Sequence, residues 1–297
     1  MTTAPEPPVT PLRFLSLEIT SRCQLTCRSH CYAEAGPTRG HGSMTGADWH
    51  RIIDEAATLG AKTVQLIGGE PTLHPAFTEL VEHAVQNGLR VRVYSNLVRI
   101  RDRHWQLFEH PQVSLATSVY SDDADEHDAI TGRCGSHAAT RANVIAAVHR
   151  GVRVKVGIVD MGGKQRAAQA RAEMQALGVH RVQVDPVRAV GNAAGVAIPS
   201  TAALCGRCGN GKAAVLPDGQ VSVCEIGRFL TAGSVKSASL ASVLAGGRWA
   251  QVRAIVPRRA SADAVCPPDC SPNDDTACGP ETGDDPCGPA DDDGDDG

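Results

Sequence analysis

Aromatic residues are nearly missing from this 297-residue chain: three Trp, three Tyr and four Phe, 3% in all. A core must therefore be built from Val, Leu, Ile and Ala, which the 42% apolar content supplies. No apolar run approaches the length of a membrane span, so a membrane protein is not expected. The first residues are rich in Pro and Thr (Pro5, Pro7, Pro8, Pro11) and hold no apolar stretch of the kind a secretory signal needs. Strong charge of one sign is missing as well. The formal charge of −4 arises in residues 281–297, which hold eight acids and no base; the remainder carries 25 acids against 29 bases. So weak and dispersed a positive charge gives no footing for nucleic acid. What is plentiful is cysteine, eleven in all, without the short length or the signal of a secreted disulfide scaffold. These features together predict a reduced, cytoplasmic, metal-binding protein.

The chain divides into a leader (1–12), a long alternating region (13–190), a cysteine-rich region (200–288) and an acidic tail (289–297), with both ends expected to be disordered. Strands are predicted at 13–19, 63–67, 90–94, 113–118, 152–159 and 179–184, from β-branched residues and Leu bounded by Gly, Asn or Asp. Between them lie helical patterns. Thr45 and Asp48 form a capping-box signature before Trp49, Ile52, Ile53, Ala56 and Leu59. Pro75 opens a second helix that Asn87-Gly88 stops, and further helices are predicted over 101–108, 137–149 and 164–177. Repeated strand–helix units imply an α/β fold with parallel strands, here a partial (β/α)6, TIM-like barrel with ligands at the carboxyl ends of the strands. After a small-residue linker at 191–199, residues 213–223 read as a hairpin turning at Pro217-Asp218-Gly219, with short helices over 239–245 and 247–255.

Three cysteines, Cys23, Cys27 and Cys31, fall just after the first strand, at the edge where such folds bind ligands. Thiolates this close together hold soft metal. Zinc would need a fourth ligand, which His30 or His41 could supply; a cubane iron–sulfur cluster would keep one iron open. Spacing alone does not choose between them. The second strand ends, at the same edge, in Gly68-Gly69-Glu70-Pro71, where glycines let backbone approach a ligand and Glu70 can accept from an ammonium group.

With both motifs in place, residues 13–230 resemble the radical S-adenosylmethionine (radical SAM) superfamily. The resemblance implies a 4Fe-4S cluster on Cys23, Cys27 and Cys31 whose fourth iron is chelated by the amine and carboxylate of S-adenosylmethionine. It implies reductive cleavage of that cofactor and hydrogen abstraction from a substrate. Gly68, Gly69, Glu70 and Pro71 match the element that holds the amine. Tyr32, Asn96, Ser118 and Arg188 match positions that reach the cofactor's adenine, ribose or carboxylate, and Gly157 and Ile158 resemble an adenine-lining strand. In one respect the chain departs from the pattern: its loop is C-x3-C-x3-C, one residue longer than the family's C-x3-C-x2-C.

The later cysteines extend the resemblance. Cys208, Gly219 and Cys224, with Cys205 nearby, match the start of a SPASM-like extension that binds auxiliary iron–sulfur clusters. Cys266, Cys270, Cys278 and Cys287 are the further candidate ligands. A zinc knuckle on Cys205, Cys208, Cys224 and one later cysteine is the alternative. Cys134 stands apart and is read as incidental. Relatives with this extension most often modify ribosomally made peptides, so the expected substrate is a peptide or protein that is cross-linked, epimerised or oxidised. The alternatives are a small-molecule substrate, or a non-catalytic zinc or iron–sulfur protein. A separate electron donor is expected. Because only about a dozen residues precede the first strand, a peptide substrate is expected to be recognised by a separate leader-peptide-binding protein or by the barrel directly.

Overall fold

A computed structural model describes residues 11–257. Cys266, Cys270, Cys278, Cys287 and the acidic tail lie outside the described residues. Six strands alternate with helices: β1 (Phe14–Thr20), α1 (Gly46–Thr58), β2 (Thr63–Gly68), α2 (Phe77–Gln86), β3 (Arg90–Tyr94), α3 (Asp102–Phe108), β4 (Val113–Val119), α4 (Ala124–Thr131), α5 (Ser136–His149), β5 (Val154–Asp160), α6 (Ala167–Ala176) and β6 (Arg181–Pro186). The expected capping box starts α1. Asp48 N–H donates to Thr45 Oγ1 at 3.2 Å, and Thr45 N–H donates to the Asp48 carboxylate at 2.8 Å.

The sheet runs β6-β5-β4-β3-β2-β1, all parallel, in unbroken sequential order. A doubly wound sheet reverses direction at a switch point, whereas a (β/α) barrel does not. This is the barrel order, left open. Beyond β1 the sheet continues into β7 (Lys212–Val215), which pairs parallel with β1, and then antiparallel into β8 (Gln220–Ser222) and β9 (Thr231–Ser234). The hairpin of the cysteine-rich region thus extends the same sheet, and α7 (Leu240–Ala245) and α8 (Gly247–Ala254) follow it. Two elements were not expected from the sequence, α4 and β9. The supposed linker also holds a single turn, Gly191–Ala194, placed against the cysteine loop.

Strand alternation divides the core in two. Leu15, Leu17, Ile19, Val64, Leu66, Val91, Val93, Val156 and Ile158 face the helices and pack with Trp49, Ile52, Ile53, Leu80, Val144 and Met174. The opposite face is buried but polar: Ser16, Glu18, Gln65, Arg92, Lys155, Asp185 and Lys212. Several of its groups pair with one another, as buried polar groups tend to. Gln65 Nε2 donates to Glu225 Oε1 at 2.9 Å and to Ser16 Oγ at 3.2 Å, and Lys212 Nζ lies 3.0 Å from Glu225 Oε2. The Phe14 ring sits between the cations of Arg92 and Lys212, at 5.6 and 5.0 Å.

Glu18, fully buried on β1, pairs with Arg228 at 3.2 Å. Burial pushes its carboxyl from 4.5 up to about 7; the Arg228 charge opposes that rise and Glu225 adds to it. A folded pKa above the unfolded one means the native state holds the proton more tightly. This contribution to stability is therefore full below about pH 4.5 and lost as pH rises through 7. The unpaired Arg228 of a Glu18→Gln variant adds an offset that does not vary with pH. Urea unfolding across that window should show the variant gaining on the wild type as pH rises; parallel stability curves would contradict the assignment.

Candidate active site

The cysteine loop leaves β1 and returns to its own start. Cys23 N–H donates to Gly36 O at 3.1 Å and Gly36 N–H to Ser21 O at 3.2 Å, closing residues 21–36 into a compact loop. The turn after β2 then zips onto its base, with Gly69 N–H to Thr20 O at 2.7 Å and Glu70 N–H to Arg22 O at 2.8 Å. A Cβ on Gly69 would lie 2.4 Å from Arg22 O, and one on Gly68 would lie 2.3 Å from Thr20 O. The two glycines, expected to make room for a ligand, make room first for the loop's own backbone.

Glu70 is the hub of this edge. Its Oε1 accepts from Thr72 N–H (3.1 Å), Thr72 Oγ1 (2.7 Å) and Ser95 Oγ (2.9 Å), and its Oε2 accepts from Asn96 N–H at 2.8 Å. Burial raises its pKa and these donors lower it. The carboxylate thereby ties the β2 turn to the end of β3. There Leu97 adopts φ 56°, a costly conformation for a branched side chain. It is held by Asn143 Nδ2 donating to Leu97 O at 2.7 Å and Thr140 Oγ1 donating to Asn96 O at 2.9 Å.

Each thiol has its own surroundings. Cys23 Sγ accepts from Leu25 N–H at 3.4 Å and Asn96 Nδ2 at 3.5 Å. Cys27 Sγ lies 3.8 Å from Thr131 O at the end of α4, where Thr26 N–H donates to the same carbonyl at 3.0 Å. Cys31 Sγ accepts from Ala35 N–H at 3.4 Å, and Cys31 N–H donates to Cys27 O at 3.3 Å, so the additional residue is taken up in one helix-like turn. Burial pushes all three thiols up, Cys23 to about 12 with the Glu70 charge adding to it. Thiolates here would need a cationic partner, which metal supplies.

The three cysteines wall a cavity of about 1090 Å³, counting its open mouth. Gly68, Gly69, Asn96, Ser118, Arg188 and Tyr32 also line it, whereas Glu70 and Pro71 do not. Ile158 faces the helices instead, because alternation along β5 turns it outward. His41 donates or accepts at Thr20 Oγ1 (2.8 Å) and packs on His74, outside the cavity. Among the described residues, no three His, Cys, Asp or Glu side chains converge as they would around a single metal ion. A cluster, whose irons are spread over a cube, asks for thiols around a larger space. Sulfur-directed N–H donors and thiols in need of positive charge fit such a group.

Residues 17–168 match the radical SAM superfamily, just over half of the chain. The chain belongs to that superfamily. Similar curated proteins are a PqqA peptide cyclase of Rhodopseudomonas palustris (33% identical over 123 residues, 41% of this chain and 32% of that protein) and mycofactocin maturase MftC of Mycobacterium tuberculosis (34% over 147 residues, 48% and 37%). The matched stretch spans about a third of these relatives' length. The fold is similar to Streptococcus suis SuiB bound to S-adenosylmethionine, with TM-score 0.68, 14% identity, and 82% of this chain covering 68% of that one. Radical SAM proteins use a 4Fe-4S cluster and S-adenosylmethionine, so membership brings both cofactors with it.

Sequence reasoning missed part of the wall. Tyr120, His127 and Thr131 line the cavity from the end of β4 and from α4. His30 packs on Tyr120 (ring centroids 4.5 Å) and Tyr120 on His127 (5.4 Å); burial pushes both histidines down to about 4, so they are neutral. Asp123 capping Glu126 N–H and Gly132 closing the helix at φ 67° were the available signals for α4. In the cysteine-rich region, Cys208 Sγ lies 2.9 Å from Cys224 Sγ and 4.0 Å from Cys205 Sγ. Replacing Gly69 by Ala should displace the turn and weaken S-adenosylmethionine binding to the reconstituted protein at least tenfold, about 1.4 kcal/mol by calorimetry. Gly247→Ala, whose Cβ meets open space, is the control that should bind as the wild type does.

Proposed function

We propose that this radical SAM protein modifies a ribosomally made peptide or protein, by cross-linking, epimerisation or oxidation. The observation that carries the catalytic part is the cavity itself: one buried and two half-buried thiols and the Gly68-Gly69 turn face one space at the carboxyl ends of the strands. Cys23, Cys27 and Cys31 would hold the cluster. Gly68 and Gly69 would present main-chain groups to the cofactor's amine, with Glu70 and Pro71 fixing their turn. Asn96, Ser118, Arg188 and Tyr32 would contact the rest of it. When bound, cluster and S-adenosylmethionine together supply one-electron cleavage of the cofactor and abstraction of a substrate hydrogen. The residues of this chain orient those groups and exclude water with Leu25, Ile67, Val159 and Ile226.

The peptide part of the reading is supported by relatives named as a peptide cyclase and a maturase, and by the similar fold of SuiB bound to precursor peptide SuiA. Cys205, Cys208 and Cys224, with Cys266, Cys270, Cys278 and Cys287, would hold one or more auxiliary clusters. A separate electron donor and a leader-peptide-binding protein would complete the system. Among the described residues no helix is long and apolar enough to cross a membrane, and a cytoplasmic site of action is part of the proposal.

The test is anaerobic reconstitution with iron and sulfide, then dithionite and S-adenosylmethionine. The wild type should release 5′-deoxyadenosine and methionine, and Cys31→Ala should reduce this at least a hundredfold. Stoichiometric zinc with no 5′-deoxyadenosine would overturn the enzyme reading. A short peptide encoded beside this gene should change mass on incubation; an unchanged peptide together with turnover would favour a small-molecule substrate.

A further inference from the structure

The loop between Cys27 and Cys31 closes on itself by one backbone hydrogen bond, the 3.3 Å contact from Cys31 N–H to Cys27 O. A single helix-like turn in water is not self-supporting, and Arg28 and Ser29, at its crest, are exposed. Both cysteine carbonyls find further partners on one residue. Asn192 Nδ2 donates to Cys27 O at 2.9 Å, and Asn192 N–H donates to Cys31 O at 2.9 Å. The preceding residue brings it there. Gly191 has φ 59°, and a Cβ on it would lie 2.4 Å from Tyr32 O and 2.5 Å from Cys31 O, so this backbone approach is open only to glycine.

We propose that Asn192 is a positioning residue for the cluster, acting through the longer C-x3-C turn by bracing both of its ends and so aiming Cys31 Sγ at the cavity. The inference rests on the reading that Cys23, Cys27 and Cys31 hold the cluster. It explains how a loop one residue longer than the family pattern can keep three thiols on one wall. It also assigns a purpose to a stretch, 191–194, that composition alone marks as linker. A shorter turn would span its ends more tightly and would need the brace less.

The test uses the full-length protein reconstituted anaerobically, in four forms: wild type, Asn192→Asp (isosteric, without the side-chain donor), a Ser29 deletion, and the two changes combined. Iron and sulfide are counted, and electron paramagnetic resonance of the reduced protein is recorded before and after S-adenosylmethionine is added. Wild type should show a signal that changes on addition; if it does not, the three-cysteine reading fails and not the role of Asn192. N192D should fall about four irons per chain short and lose the S-adenosylmethionine-dependent change. The combined variant should regain both, because the shortened turn no longer depends on the brace. N192D loading and responding as wild type does would overturn the proposal. So would loss of folding, by circular dichroism, in N192D and in the combined variant alike, since that would make Asn192 a general element of the fold.

Discussion

The cysteine loop depends on its surroundings to hold its shape. Residues 21–36 contain little regular structure, and most of the bonds that shape them come from elsewhere in the chain. The β2 turn supplies Gly69 and Glu70 N–H groups, α4 supplies the Thr131 and Gly132 carbonyls, the β3 end supplies Asn96, and the segment after β6 supplies Asn192. A metal-binding loop presented in this way has little freedom left to lose when it meets its ligand, which is the physical meaning of preorganisation. The same dependence makes the site a property of the whole sheet, because those four supports lie in segments that follow β2, β3, β4 and β6, which only the barrel order brings to one edge.

The second constraint is the polar face of the sheet. Apolar packing against the helices is ordinary, but beneath the cavity buried Glu18 pairs with half-buried Arg228, and buried Gln65 and Lys212 pair with Glu225. Such a set contributes little net stability, since desolvation offsets attraction. Its value lies in position. Arg228 Nη1 bonds Tyr32 O at 3.3 Å, and so the charges beneath the cavity reach the residue beside Cys31. Through Arg228, buried Glu18 and the loop above it are joined.

Much of this was legible in the residues. Strands one to six were expected within about two residues of where they lie, because β-branched runs bounded by Gly and Asn carry that signal strongly. Cys23, Cys27, Cys31, Gly68, Gly69, Asn96, Ser118, Arg188 and Tyr32 meet on one cavity, because strand-end residues of parallel units converge whatever their separation in sequence. What was hidden is long-range. The sequence around α4 is short and polar, with only His127 and Thr131 buried, and so shows no amphipathic period. Asn192 lies 165 residues from Cys27, and no local pattern reveals a brace of that span. Glu70 sits where a ligand contact was expected, yet its oxygens are taken by Thr72, Ser95 and Asn96, a fact only the fold discloses. The polar lining escaped notice for a related reason: in Phe14-Leu15-Ser16-Leu17-Glu18-Ile19-Thr20 the alternation is plain, but nothing local says that its polar half is buried.

The central claim is that three thiols of one preorganised loop hold a cluster and leave one metal position for the cofactor. Mössbauer spectroscopy of protein reconstituted with 57-iron, with and without S-adenosylmethionine, addresses it most directly. The account predicts that the cofactor changes the isomer shift of one iron in a four-iron cluster, and that this cluster is lost from the Cys23→Ala variant. Spectra unaltered by S-adenosylmethionine, or a four-iron cluster that survives without Cys23 and still responds to the cofactor, would contradict it.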